Sequence, residues 1–397
     1  MKLSDIANFV TDKISSNAIS LKEYITTDCI KQNKEGREIA VNLPPQPCNL
    51  THYQCSDILI ANIRPYLKKI WFADIKGGAS SDVLVIRAKE NHSPEYLYAL
   101  LMQDSFFDYV MLGSKGSKMP RGDKNQIMDY EIPYSPESEE SIGKFLINFN
   151  HKISLNRAIN KNLEALAEQI YDYWFVQFDF PDENGRPFKS SGGKMVWNKD
   201  LNREIPSRFR LEQIGQHTQV LLGGTPDTQN ANYWDGTYPW LNSGEVAEFP
   251  IISSEKNITE EGLNSSATVY APKGSVTLSI TRHLRPSILA IDACINQSVV
   301  AIKETEEIRK EYLYPFIKRD IPRLMTLRTG AQQPHINKET VDKTWLVIPD
   351  KKSLSKYYDI TKPIYENIIN NAFEMASLTK QRDELLPLLM NGQVTIK

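Results

Sequence analysis

Apolar positions along the chain follow two patterns, one after the other, and then follow both again. Short, nearly unbroken runs rich in Ile, Leu and Val come first, at residues 55–60, 70–75 and 83–87, and again at 275–280, 287–291 and 298–302. Runs of this length bounded by turn residues predict short strands. A helix is predicted next, over 95–112 in the first half and 310–324 in the second. Each half then continues with a basic loop marked by Gly and Pro, a strand ending in Ile-Pro, and a long helix.

The long helices carry the clearest period. Ile142, Leu146, Phe149, Ile153, Asn156, Asn160, Leu163, Ala167, Ile170 and Trp174 alternate by four and three, the repeat of a coiled-coil seam. A shift of roughly 215 residues gives Tyr357, Thr361, Ile364, Ile368, Asn371, Met375, Leu378, Arg382, Leu385 and Leu389. Near the middle of each seam stands an asparagine, Asn156 and Asn371. Buried Asn pairs fix register, so in an antiparallel pair around a pseudo-twofold axis these two are expected to meet. The second helix should stop at Asn391-Gly392, with a distortion at Pro387.

Nearly the same shift aligns the rest of the two halves. Glu95-Tyr-Leu-Tyr98 matches Glu311-Tyr-Leu-Tyr314, Ile63-Arg64 falls near Thr281-Arg282, and the loop 116–120 matches 330–334. Tyr130-Glu-Ile-Pro133 matches Leu346-Val-Ile-Pro349, while the beginnings of the halves match poorly. The expected fold class is α+β, two related mixed domains with long helices. The segment 178–203 between the halves reads as an exposed loop with turns.

Composition narrows the function. Apolar residues make up 41% of 397 and charged residues 24%, ordinary for a chain with real cores. The start, MKLSDIANFV, has no apolar signal core, and no uncharged run approaches the ~20 residues of a membrane span; the expectation is a cytoplasmic protein without a membrane. Cys29, Cys48, Cys55 and Cys294 include no CxxC pair, so neither a metal nor a disulfide framework is expected. The net charge of −2 hides local clusters. Residues 62–76 and 113–124 each carry four basic residues and one acid, and 315–345 carries six and three. Each cluster taken singly reads as an ordinary solvated face; local rather than net charge is what a nucleic-acid cleft needs, so the net charge does not exclude one.

No catalytic constellation stands out. The chain lacks GxxxxGK[ST], a GxGxxG after a strand, HExxH and GxSxG, and an NPPY-like methyltransferase box is also missing. None of the Pro-Asp pairs, at Asp182, Asp227 and Asp350, stands upstream of the Glu-x-Lys of a metal-dependent nuclease. The chain reads as non-catalytic.

One stretch is more specific. LNRAINKNLEALAEQIYDYWFVQFDFPDENGRPFKSSGGKMV, residues 155–196, resembles the central conserved helix and exit segment of the specificity (S) subunits of type I restriction–modification systems. IPSRFRLEQIG at 205–215, GGTP at 223–226 and LLPLLMNGQV at 385–394 are similar to other parts of that family. The N-terminus departs from it, opening at Leu3-Ser-Asp-Ile-Ala7 without a GGTP-type turn.

The resemblance implies two pseudo-twofold-related target recognition domains separated by two long antiparallel coiled-coil helices. Their spans would be 1–137 and 201–350 for recognition, 138–200 for the central helix and connector, and 351–397 for the distal helix. It also implies that each domain binds half of a bipartite double-stranded DNA site. Half-site centres one turn of B-DNA apart, roughly 34–36 Å, lead to an expected spacer of about six base pairs. The helices would dock two methyltransferase subunits, and restriction subunits would join the complex. S-adenosylmethionine, ATP and Mg would belong to those partners, with no cofactor in this chain. The alternative is a stand-alone bipartite DNA-binding or scaffold protein. Base reading favours Arg and Lys for guanine and Asn and Gln for adenine. The candidates in the second half are Arg328, Gln332, Gln333 and His335 in one loop, with Ser243, Arg282 and Arg285. Those in the first half are Arg64, Lys68, Lys115, Ser117, Lys118 and Arg121. Gly116 and Gly330 are expected to allow close backbone approach.

Overall fold

The computed structural model describes residues 1–116, 118–132, 139–330, 332, 334–394 and 396. The chain divides into two compact units, Met1–Asn156 with Glu374–Lys397, and Arg157–Phe373. Each long helix therefore contributes to both.

The first unit holds two four-stranded sheets. In one, Ala7–Phe9, Val83–Ala88, Ile58–Ala61 and Ile70–Phe72 lie in that order, every pair antiparallel. Both faces of this sheet are buried, which explains why its strands are continuously apolar rather than alternating. Ile58, Ile60, Ile70, Leu84 and Ile86 face the helices, while Leu59, Trp71, Val83 and Val85 face the second sheet. That sheet runs Lys13–Ser15, Asn49–Tyr53, Gly77–Ala79, Tyr24–Ile25, the last pair parallel. The helix expected at 95–112 is two, Pro94–Leu101 and Asp104–Leu112, because Gln103 is extended.

The second unit repeats the plan. Val220–Leu222, Val299–Ile302, Val276–Ser279 and Pro286–Ile288 form the helix-facing sheet. Trp234–Leu241 lies parallel to Ala293–Ile295, which pairs antiparallel with Val269–Ala271. The difference is at the edge. Here the added strand, Lys256–Ile258, joins the Trp234–Leu241 side, whereas in the first unit Lys13–Ser15 joins the opposite side, on Asn49–Tyr53. The poor match at the beginnings of the two halves has this structural counterpart. The segment expected as an open loop at 178–203 is more ordered. Phe178 and Phe180 are buried in the second unit's core, and Met195–Asn198 forms a hairpin with Arg203–Pro206.

The long helices span Glu139–Tyr171 and Lys351–Met390. Seam residues Ile142, Leu146, Ile153, Asn156, Ala167, Tyr357, Thr361, Ile368, Arg382 and Leu389 are buried. Within each unit the helix segments run antiparallel. In the first, Arg382 donates to Asn150 (2.7 Å) and Asn156 to Glu374 (2.6 Å). In the second, Asn371 donates to Asn160 (2.9 Å) and Trp174 packs on Tyr357. The asparagine side chain bonded to Asn371 is thus Asn160, not Asn156. The expected partner was one seam step off, because the period fixes which face is buried but not the antiparallel register. The helix runs through Pro387 to Met390, with Gly392 at φ 68° beyond it, where the stop was expected.

Candidate nucleic-acid interface

Most of the predicted basic candidates lie on loops at one end of each helix-facing sheet. In the first unit, the loop after strand Ile58–Ala61 is joined to the loop 115–121. Ile63 bridges to Arg121, the Arg64 amide donates to the Pro120 carbonyl (2.8 Å), and Lys115 and Arg121 close their own loop. The second unit builds the same junction. Thr281 bridges to His335, the Arg282 amide donates to Pro334 (2.9 Å), and Thr329 and His335 close the loop. Arg64 and Arg282 hold φ of 56° and 54°, an uncommon conformation for a residue with a Cβ and one that concentrates at functional loops. Gly116 and Gly330 hold φ of 98° and 95°. Both therefore stand at positive-φ turns, and a Cβ on Gly116 would meet no protein atom nearer than 3.4 Å.

The structure sorts the candidates by what they already hold. Lys68 pairs with Asp104 at 2.9 Å, and Lys34 binds the same carboxylate at 2.7 Å. Burial pushes the Asp104 carboxyl up, but the two ammonium groups outweigh it and hold it below the usual range. Arg121 pairs with Asp82 (3.1 Å) and Lys115 with Asp123 (3.5 Å). Asp123 is itself held low, first by the amides of Gln126 and Asn125 that it caps and then by Lys115. Arg328 donates to the carbonyls of Met325 and Arg282, so it fastens the junction. Arg64, Lys118, Arg282 and Arg285 are exposed, and among the described residues their side chains have no ion-pair or hydrogen-bond partner. Gln332 and His335 are also exposed. Ser243 belongs to a different loop, the turn closed by Asn242 and Glu245. Ser117 and Gln333 lie outside the described residues.

The basic run 315–345 is largely neutralised. Lys318 binds Glu164 and Glu168, Arg319 binds Asp172, and Arg323 binds Asp320. Lys338 and Lys343 pair with Asp342 and Glu339 one helical turn away. These last two pairs are legible from spacing four; the pairs to the long helix are not. At this unit's loop junction, Arg282 and Arg285 are exposed cations with no ion-pair partner among the described residues, on a stretch too short to register as a basic cluster.

Among the described residues no group of three or more His, Cys, Asp or Glu could hold a metal ion, and no helix is long and apolar enough to cross a membrane.

Similarity to known proteins agrees with this arrangement. The family of type I restriction modification DNA specificity domains matches residues 1–165 and 208–376. The specificity subunit of the type I restriction enzyme HindI from Haemophilus influenzae is 22% identical over 452 aligned positions, covering 99% of this chain and 98% of that protein. The MjaIX specificity subunit of Methanocaldococcus jannaschii is 24% identical over 315, covering 78% of this chain and 71% of that one. In fold, the chain is similar to the crystal structure of a type I restriction–modification S subunit from M. genitalium. That match has a TM-score of 0.59 at 14% identity, over 97% of this chain and 94% of that one. With both halves matched by the same family, the chain belongs to the type I restriction–modification DNA specificity family.

Proposed function

We propose that this chain is the DNA-reading subunit of a type I restriction–modification complex, each unit taking one half of a bipartite site. The observation that carries the reading is the loop junction built twice, with Arg64 and Arg282 at the same bridged, left-handed position and their guanidinium groups exposed. Cations in such loops neutralise phosphates and set the protein's place on the duplex. Arg285, Gln332 and His335 beside Arg282, and Lys118 beside Arg64, then offer donors and acceptors to base edges.

The long helices, of 33 and 40 residues, would span about 50 and 60 Å. Acting as an antiparallel coiled coil, they would relate the units by a pseudo-twofold axis and set the distance between half-sites. Half-site centres one turn apart, roughly 34–36 Å, leave a spacer of about six base pairs. Exposed apolar side chains on the first long helix support the docking of two methyltransferase subunits: Ile159 and Leu166 in one unit's share, Leu155 in the other's. S-adenosylmethionine, ATP and Mg chemistry would reside in those partners and in restriction subunits, the present chain reading DNA in the cytoplasm without catalysing a step.

The test is selection of duplexes from a random library by the full chain in its complex, for the wild type and for Arg282→Ala with Arg285→Ala. A selected site with two defined halves, one of them relaxed by the double variant, supports the reading. Identical selection by both proteins would remove the junction from the interface.

A further inference from the structure

The loop of residues 62–69 in the first unit carries one side chain that the phosphate-binding reading leaves unused. Pro65–Leu67 forms a single 3-10 turn, entered by Arg64 at φ 56° and left by Lys68 at φ 49°. The turn is fastened on three sides. The Arg64 amide donates to Pro120, the amides of Asn33 and Lys34 donate to the carbonyls of Leu67 and Lys68 (2.9 and 3.0 Å), and Lys68 is paired with Asp104. The ring of Tyr66 projects from this braced turn, 49% exposed, and among the described residues its hydroxyl has no hydrogen-bond partner.

The equivalent loop of the second unit, residues 280–285, is shorter and shows no such group. Leu284 is only 6% exposed, and the side chains turned outward are Arg282, His283 and Arg285. A large apolar ring held at the tip of a basic loop is therefore particular to one unit. It is also ordered in advance, so little freedom is lost when it meets a partner.

We propose that Tyr66 is a specificity-determining residue that reads a thymine of the first unit's half-site through its C5 methyl group. The methyl is the apolar feature that the major groove offers, and the second unit's half-site lacks an equivalent contact. The inference rests on the loop junctions facing DNA. Covering one methyl contributes about fourfold in affinity.

The experiment uses the full chain in its complex as wild type, Tyr66→Ala, Tyr66→Phe and the Arg282→Ala/Arg285→Ala pair. Thymines of the selected site are replaced one at a time by deoxyuridine, which removes only the methyl. One replacement, in the half-site that the arginine variant leaves intact, should weaken the wild type about fourfold. Tyr66→Phe should keep that dependence and Tyr66→Ala should lose it. The proposal is overturned by a flat deoxyuridine series in the wild type, by Tyr66→Ala retaining the dependence, or by Phe behaving as Ala, which would mark a phosphate contact through the hydroxyl. If the arginine variant binds and selects like wild type, the junction reading itself has failed.

Discussion

The two units share a backbone plan and differ in how they complete it. At the recognition ends the bridge, the left-handed arginine and the positive-φ glycine recur. In the first unit, however, Arg121, Lys115 and Lys68 are held by Asp82, Asp123 and Asp104, while among the described residues Arg282 and Arg285 have no such acids against them. At the helix entry the contrast runs the other way. Ser93 caps Pro94–Leu101 with its own hydroxyl, accepting from the Tyr96 amide. Arg309 stands at the matching place and offers no such acceptor. There the Tyr358 hydroxyl, reaching in from the long helix, accepts from the Arg309 amide (3.0 Å) and donates to the Glu307 carbonyl (2.9 Å). A shift of 215 from Tyr358 falls on Gly143, where a Cβ would lie 2.4 Å from the Tyr96 backbone nitrogen. One unit brings the helices together and caps locally; the other separates them by a ring and caps from a distance. The shared plan thus fixes where the elements go, and the side chains at their junctions are free to differ.

The contrast can be broken most strongly at Gly143. Gly143→Val drives methyl groups into the backbone of Glu95 and Tyr96 and should cost about 3 kcal/mol. In hydrogen exchange the loss should fall on the amides of Pro94–Leu101 and spare Lys310–Thr326. Next in size is the Arg282→Ala/Arg285→Ala pair, expected to lose about 1–3 kcal/mol of binding per base-reading arginine. If titrations show an equal loss on every sequence, these arginines hold phosphates, and the difference between the units lies elsewhere. Tyr358→Phe leaves the Arg309 amide without its acceptor and should cost about 1–2 kcal/mol in urea unfolding. Ser93→Ala, its mirror change, should cost about 1 kcal/mol.

The smallest effect concerns Asp104. Its carboxyl is held below its ordinary value, so its ion pairs contribute stability above the unfolded carboxylate range, about pH 4. That contribution fades as pH falls through the lower folded value. Asp104→Asn should lower stability by a few tenths to about 1 kcal/mol at neutral pH, and the gap to wild type should close in acid. Salt-dependent DNA binding by this variant should steepen if the released Lys68 turns to phosphate.

Much of the fold was legible in the sequence. The six apolar runs predicted as strands each overlap an observed one. Of the two strands expected to end in Ile-Pro, Trp345–Ile348 forms, whereas among the described residues the first half shows only the bridge of Glu131 to Lys2. The bridge Ile63–Arg121 recurs as Thr281–His335 in the place the alignment of halves indicated. The candidate loops were legible as basic and Gly-marked. What could not be read was which cations are spoken for. Lys318 and Arg319 look free in the sequence, yet Glu164, Glu168 and Asp172 neutralise them. Those partners lie about 150 residues away, with separations of 154, 150 and 147.

The sequence by itself therefore determined the duplication, the short strand runs, the seam of each long helix and the glycines at the loop turns. These depend on periodicity and backbone preference, which act between near neighbours in the chain. The tertiary structure alone decided the register that sets Asn371 against Asn160, the side on which each outer sheet gains its edge strand, and the few arginines left without acids. Each of those is a pairing across the fold, settled by the packing of distant segments rather than by any pattern along one of them.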